Sequence, residues 1–355
     1  MNLEDLGYTE KLEKFRINND LGNNEVGRII AEHKERYIIG AAKGEFDAEI
    51  TGNMRFTAKN REDYPAVGDW VAFSTFDTDF AIIHKIFPRF SIIKRQAVKQ
   101  FGEVQIIAAN IDYGFIIQAV DRDFNINRIE RYLTICNASK VSPVIVLSKT
   151  DLINQHLLSE ILKSIKARIK NVPVFAISNE TQAGYEALKA TIEKGKTYCM
   201  LGSSGVGKST LLNNLSGKTI MRTDAISQST SKGKHVTSHR ELIVIQNGGI
   251  LIDNPGMREV GIADLTGGLE ITFDMILSLS QNCRFKDCMH TNELGCAVLE
   301  GIEMGKIDKA LYENYLKMER EKAHFESSVV EKHKKDKEFG KMLKNYKKDI
   351  KKNRH

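Results

Sequence analysis

The stretch "TYCMLGSSGVGKSTLLNNLSG", residues 197–217, constrains this chain more than any other. Gly202, Gly207, Lys208 and Ser209 satisfy G-x-x-x-x-G-K-[ST] between an apolar run of strand type and a run of helix type. Such a motif works only as strand, loop and helix in that order. Backbone N–H groups of Gly202, Ser203, Ser204, Gly205, Val206, Gly207, Lys208, Ser209 and Thr210 then converge on phosphates. Lys208 is expected to reach the β- and γ-phosphates, and Ser209 to ligate Mg²⁺. A chance Gly-rich turn is the alternative, and it leaves the flanks unexplained.

From about residue 104 the chain alternates between strand and helix patterns. "YGFIIQAV", "VIVLSK", "VPVFAIS" and "TYCMLG" read as strands, with "FNINRIERYLTICNAS", "HLLSEILKSIKARIK" and "YEALKATIE" as helices between them. This predicts a parallel sheet with helices on both faces. Upstream, residues 26–96 hold five short alternating runs separated by turn residues, the pattern of a small barrel or sandwich. A five-stranded OB-type barrel fits the length, with an SH3-like barrel as the alternative.

Two more motifs bear on the phosphate loop. "GGILIDNPGMREVGI" is an apolar strand ending at Asp253, 44 residues beyond Ser209, in a D-x-x-G that closes at Gly256. The Asp253 carboxylate would hold Mg²⁺ and the Gly256 N–H would bond a γ-phosphate. "VIVLSKTDL", residues 144–152, is a buried strand running into Ser148, Lys149, Thr150 and Asp151. A Lys-x-Asp there suits a guanine site: Asp151 accepts the two donors of the guanine edge and Lys149 covers the base plane. "AISNE", residues 176–180, offers Ser178 and Asn179 for the contact to guanine O6. Solvated turn residues and a helix-capping Ser178 are the bland readings. The fragments run guanine, guanine, phosphate, Mg²⁺, so the order is that of a circularly permuted GTPase.

Cys283, Cys288, His290 and Cys296 form C-x₄-C-x-H-x₅-C, a Cys₃His set suited to tetrahedral Zn²⁺ with no open position, hence structural. Unrelated buried thiols are the alternative reading; Cys136 and Cys199, in apolar periodic runs, fit it as core residues. Five cysteines with this bunching do not form a disulfide framework. The N-terminus has no apolar signal segment and the chain no 18-residue apolar run, so a cytoplasmic protein without a membrane span is expected. The net charge of +6 is local: residues 331–355 carry eleven Lys/Arg against four Asp/Glu, and the preceding 330 residues sum to −1. The tail's Phe339, Met342, Leu343, Tyr346 and Ile350 recur at helical spacing, as either a solvated helix or a segment that RNA phosphates order.

These motifs, with "AVGDWV", "RFSIIKRQ", "QIIAANID", "GKHVTSHREL", "DNPGMREVG" and "CRFKDCMHTNELGC", resemble the RsgA (YjeQ/YloQ) family of circularly permuted GTPases over about residues 26–325. The resemblance implies an N-terminal OB domain, a permuted GTPase domain, a C-terminal zinc domain, and action in maturation of the small (30S) ribosomal subunit. The expected division is an arm (1–25), OB-type barrel (26–97), permuted α/β P-loop GTPase domain (98–265), α-helical zinc-binding domain (266–325) and basic helical tail (326–355). Expected partners are GTP/GDP and the small subunit with its rRNA; a monomer is expected.

The chain departs from the family pattern in places. Ser148 stands where the family has Asn, and a hydroxyl has less reach than an amide. Val236, Thr237 and Ser238 replace three threonines, leaving Thr237 as the candidate second Mg²⁺ ligand and Ser238 as the alternative. Met257 follows Gly256 where many GTPases carry a water-orienting Gln, so His235 is the candidate to position water, or else a loop histidine without chemistry. The competing functions are a zinc-containing RNA-binding factor that uses guanine nucleotide only as a switch, and a P-loop ATP-dependent kinase. The kinase would have no use for Lys149 and Asp151.

Overall fold

The computed structural model describes residues 2–33, 36–96, 104–121, 124–217, 240–253 and 267–352. His235, Val236, Thr237, Ser238, Gly256 and Met257 lie outside the described residues.

After a short helix α1 (Glu10–Asn18) the chain forms β1 (Glu25–His33), β2 (Arg36–Ala41), β3 (Gly44–Ile50), helix α2 (Gly52–Thr57), β4 (Trp70–Thr75) and β5 (Phe80–Ile86). The strand order β1–β2–β3–β5–β4 returns to β1, which closes a barrel. Only the β3–β5 pair is parallel. Five strands closed in this order make an OB-type barrel rather than an SH3-like one. Alternation along the strands puts Ile29, Ile39, Ala48, Val71, Phe73 and Ile83 inside, each essentially without solvent contact.

An antiparallel ribbon, β6 (Ile92–Gln96) and β7 (Val104–Ala109), leads into the α/β domain. That domain runs β8 (Tyr113–Ala119), α3 (Ile126–Ala138), β9 (Ser142–Ser148), α4 (Gln155–Arg168), β10 (Val174–Ala176), α5 (Tyr185–Lys189), β11 (Thr197–Leu201), α6 (Lys208–Ser216), β12 (Arg240–Val244) and β13 (Ile250–Asp253). The sheet order is β10–β9–β8–β11–β13–β12, parallel except for β12. Asn125 and Asn154 cap α3 and α4 through their side chains, each satisfying an N–H that the first turn leaves unpaired.

β1 joins the two sheets. Its first half pairs with β4 inside the barrel, from Glu25 to Arg28. A register break between Ile29 and Ala31 bends it, and its second half pairs with β12 through Ala31–Glu241 and Glu32–Arg240.

The C-terminal part is helical: α7 (Gly268–Thr272), α8 (Asp274–Ser280), α9 (Ala297–Glu303) and α10 (Lys309–Lys352). It packs on α3, where Glu130 is 1% exposed and accepts from Arg168 of α4 at 2.9 and 2.8 Å and from Asn314 of α10 at 2.6 Å. Burial raises the Glu130 pKa against the pull of Arg168. Arg131 of α3 reaches Glu321 at 2.7 Å, and α10 continues past residue 326 as one helix.

Candidate nucleotide and metal sites

The phosphate loop joins β11 to α6 as its sequence requires. Gly202 has φ +153°, and a Cβ there would sit 2.4 Å from the Ile117 carbonyl of β8. Gly207 has φ +92° and would meet the Asn179 amide nitrogen at 2.4 Å. Both glycines therefore let neighbouring segments approach the loop. Lys208 Nζ donates to the carbonyls of Gly202 and Ser203 at 2.9 and 2.6 Å, folded back over its own loop. Ser209 and Thr210 follow in the first turn of α6, and Asp253 ends β13 buried at 3% exposure.

The guanine-type residues gather beside this loop because β9 and β10 are parallel neighbours on the same side of β11. Lys149 has φ +60° and its Nζ forms an ion pair with Asp121 Oδ2 at 2.9 Å. Ser178 Oγ donates to Asp151 Oδ1 at 2.5 Å and accepts the Thr181 N–H at 3.1 Å. One oxygen of Asp151 is thereby engaged.

Ser148 is fully buried and its hydroxyl donates to the Val206 carbonyl at 2.7 Å. Despite its shorter reach it ties β9 to the phosphate loop. Asn179 supplies the amide: its Nδ2 donates to the Gly207 carbonyl at 2.9 Å and its Oδ1 accepts from the Tyr185 hydroxyl at 2.7 Å. Asn214 of α6 completes the clamp, donating to the Asn179 carbonyl at 3.2 Å and to the Tyr185 oxygen at 3.0 Å. The Asn179→Ala change removes two of these bonds. Nucleotide affinity should fall roughly 5–30-fold, the equivalent of one or two kcal/mol, with the fold intact by circular dichroism. An unchanged Kd in a fluorescent-nucleotide titration would show the clamp to be passive.

Asp121, Tyr185, Asn214 and Arg128 were not among the residues that sequence reading singled out. Asp121 carried a signal, since it directly follows the apolar strand beside the Lys149 strand. Arg128 donates to Ser203 Oγ at 3.3 Å from the first turn of α3, a contact that spacing alone does not disclose.

The four candidate metal ligands converge, with all ligand atoms within 4.8 Å of one another. Cys283 Sγ lies 3.9 Å from Cys296 Sγ, and His290 Nδ1 lies 3.6 and 3.4 Å from those two sulfurs. A tetrahedral Zn²⁺ with Zn–S near 2.3 Å and Zn–N near 2.0 Å separates S from S by about 3.8 Å and S from N by about 3.5 Å. The donor set thus fits zinc, and Nδ1 is the nitrogen placed to bind. Burial lowers the His290 pKa, which favours the neutral imidazole a metal needs. His290 sits at φ +59° in a turn held by Glu293, whose carboxylate accepts the N–H groups of Met289, Thr291 and Asn292. Tyr312 of α10 donates to the His290 carbonyl, and Cys296 directly precedes α9.

A phosphate loop, a Lys-x-Asp element of guanine type upstream of it and an Asp-ended strand downstream, all on parallel strands of one sheet, define a P-loop GTPase domain in permuted order. The RsgA GTPase family model matches residues 86–263. An ABC transporter model also matches residues 185–355, a span that includes the phosphate loop but not Lys149 or Asp151. A Bacteroides thetaiotaomicron protein named small ribosomal subunit biogenesis GTPase RsgA 1 is 39% identical over 349 residues, covering 98% of this chain and 97% of that protein. The Listeria innocua protein of the same name is 39% identical over 91% of this chain and 90% of its own length. The chain belongs to the RsgA GTPase family. Its fold matches YjeQ from Thermotoga maritima with a TM-score of 0.62 at 24% identity, over 84% of this chain and 99% of that one. It also matches YloQ, a circularly permuted GTPase, at 0.61 and 23% identity, over 85% and 96%.

Proposed function

We propose that this protein hydrolyses GTP and acts in maturation of the small ribosomal subunit. The observation that carries the reading is the convergence of Asp151, Lys149 and Ser178 with the phosphate loop, supported by near full-length similarity to proteins named for that role. Asp151 reads the guanine edge and Lys149, steadied by Asp121, covers the base. The backbone at Ser178 and Asn179 faces O6. Residues Gly202 to Thr210 cradle the phosphates, with Lys208 on the β/γ pair. Mg²⁺ is held by Ser209 and Asp253, with Thr237 as the further ligand, and Gly256 bonds the γ-phosphate. Such a site accelerates phosphoryl transfer by positioning and electrostatics. With Met257 in place of a glutamine, intrinsic hydrolysis is slow, and His235 orients water in the stimulated state.

Cys283, Cys288, His290 and Cys296 hold one structural Zn²⁺. The barrel (26–97) and zinc domain (266–325) flank the GTPase domain (98–265) as the RNA-facing parts of a monomeric, cytoplasmic protein. No helix among the described residues is long and apolar enough to cross a membrane.

GTP turnover measured with and without purified small subunits tests the reading. Slow turnover, raised by the subunit and lost in Lys208→Ala, is expected. A switch-only RNA-binding factor shows no stimulated turnover, and a kinase prefers ATP. His235→Ala should keep GTP affinity and lower the stimulated kcat; an unchanged value removes His235 from the mechanism.

The basic segment 326–355 makes a separate contribution. Its lysines act as point charges that bind phosphate without reading sequence, so specificity falls to the barrel and zinc domain. Deleting residues 331–355 should spare GTP affinity, weaken subunit binding, and flatten the slope of log K against log salt, because fewer counterions are released. Equal affinity and slope for the truncated and full chains would make the tail a bystander.

A further inference from the structure

A cavity lies at the opposite end of β11 from the phosphate loop, where the N-terminal arm, the barrel and the start of β11 meet. Its volume is about 390 Å³, within the range of small-molecule pockets, and such pockets concentrate between domains. Tyr8, Leu12 and Phe15 from the arm face Trp70, Pro88 and Phe90 from the barrel side. Arg28 also lines it and is 1% exposed.

The bonding of Arg28 is unusual for a buried cation. Its Nε donates to the Gly68 carbonyl at 3.1 Å and its Nη1 to the Leu6 carbonyl at 2.6 Å. Its Nη2 donates to the Asn110 carbonyl at 3.0 Å and to Thr197 Oγ1 at 2.9 Å. All four acceptors are neutral, and a guanidinium has five N–H donors. The guanidinium carbon lies 5.6 Å from the Trp70 ring centroid. Neighbouring carboxylates are committed to other cations: Asp69 to Arg89 at 2.6 Å and Asp112 to Lys196 at 3.0 Å. At the mouth, exposed Glu4 and Lys11 carry opposite charges. At the rim Lys194 pairs with Asp5 at 3.0 Å, and Arg28 shares Asp69 and Asp112 with Arg89 and Lys196, so the cations of the junction exceed its carboxylates by one. A buried cation that must share its counter-charges is costly, and a bound anion relieves that cost.

We propose that this junction is a binding site for an amphipathic organic monoanion, a flat apolar body bearing one carboxylate- or sulfonate-like group. The anion meets Arg28 and the body lies among Trp70, Phe15 and Phe90. Because Thr197 opens the strand that delivers the phosphate loop, a ligand here contacts the GTPase domain without entering its nucleotide site.

Trp70 is the only tryptophan of the chain, so its emission reports on this cavity alone. The full-length protein, saturated with Mg²⁺ and GDP, is titrated with anilinonaphthalene sulfonate and, separately, with the neutral analogue N-phenylnaphthylamine. The sulfonate is expected to quench Trp70 saturably at one equivalent with sensitised probe emission. The neutral probe should bind about tenfold or more weakly, the value of one charge-assisted hydrogen bond. Arg28→Gln should erase that preference. Should Arg28→Gln not melt cooperatively, Phe90→Glu at the half-exposed lip carries the test, and it should weaken the sulfonate about tenfold. Quenching that never saturates, equal affinity for the two probes, or a sulfonate affinity unchanged in the cooperatively folded variants overturns the proposal.

Discussion

The Asp151→Asn variant is expected to exchange guanine for xanthine nucleotide. In the proposed site the carboxylate would accept two donors from the guanine edge, while the Ser178 hydroxyl engages Oδ1 at 2.5 Å. An amide keeps the Ser178 contact on its oxygen and turns an NH₂ toward the position of the guanine amino group. Two donors then face each other. Xanthine presents a carbonyl there and restores the pairing. A site built to hydrogen-bond its ligand rejects a mismatched one by roughly 10⁴–10⁵. The swing between GDP and XDP should approach that range in competition against a fluorescent nucleotide. Parent-like GDP binding would remove Asp151 from the guanine site.

Metal removal should have the next largest effect. The segment 283–296 has little core of its own: Cys283 and Cys288 are half-buried, while Phe285, Met289 and Leu294 are 48%, 71% and 82% exposed. Structural zinc contributes about 10–16 kcal/mol of apparent binding free energy in zinc-finger peptides, comparable to the whole stability of a domain. A strong chelator, or Cys288→Ser, is therefore expected to open the loop and release Tyr312 from the His290 carbonyl. Proteolysis should then begin within 283–296 while GDP binding persists. One equivalent of zinc should be released, as read by a colorimetric chelator. A metal-free chain with the same protease resistance would show that the Cys₃His cluster is not a structural metal site.

How much of this was legible beforehand follows from the range of each interaction. The phosphate loop and the Lys149–Asp151 element are local, so spacing and flanking apolar runs placed them at the ends of parallel strands. The barrel strands were visible in alternation, but their closure was not. It depends on the β3–β5 and β1–β4 pairings between segments distant in sequence. At Ser148 the residue type suggested a weaker link than an asparagine gives. The structure shows the hydroxyl reaching Val206, and an amide arriving at Gly207 from Asn179, some thirty residues on. A hydroxyl from one motif and an amide from another both hold the phosphate loop, which only their juxtaposition in space reveals. No sequence signal marks Arg28, because its partners, Leu6, Gly68, Asn110 and Thr197, come from four separate segments.

The pairing of β1 with both β4 and β12 bears on how this protein can be taken apart. β12 is the last strand on its side of the GTPase sheet, and β1 covers the start of its outer edge, at Arg240 and Glu241. A fragment starting at residue 98 would leave the outer groups of Arg240 and Glu241 bare at the head of "RELIV", lengthening an extended rim of the kind that recruits a second copy of itself. It would also lose the Arg28 bond to Thr197 at the head of β11. An excised GTPase domain should therefore self-associate on concentration, whereas the same domain carried with residues 1–97 stays dispersed. The barrel shields the head of this edge as well as extending the sheet, and the smallest nucleotide-binding unit that stays dispersed is expected to begin at the N-terminal arm.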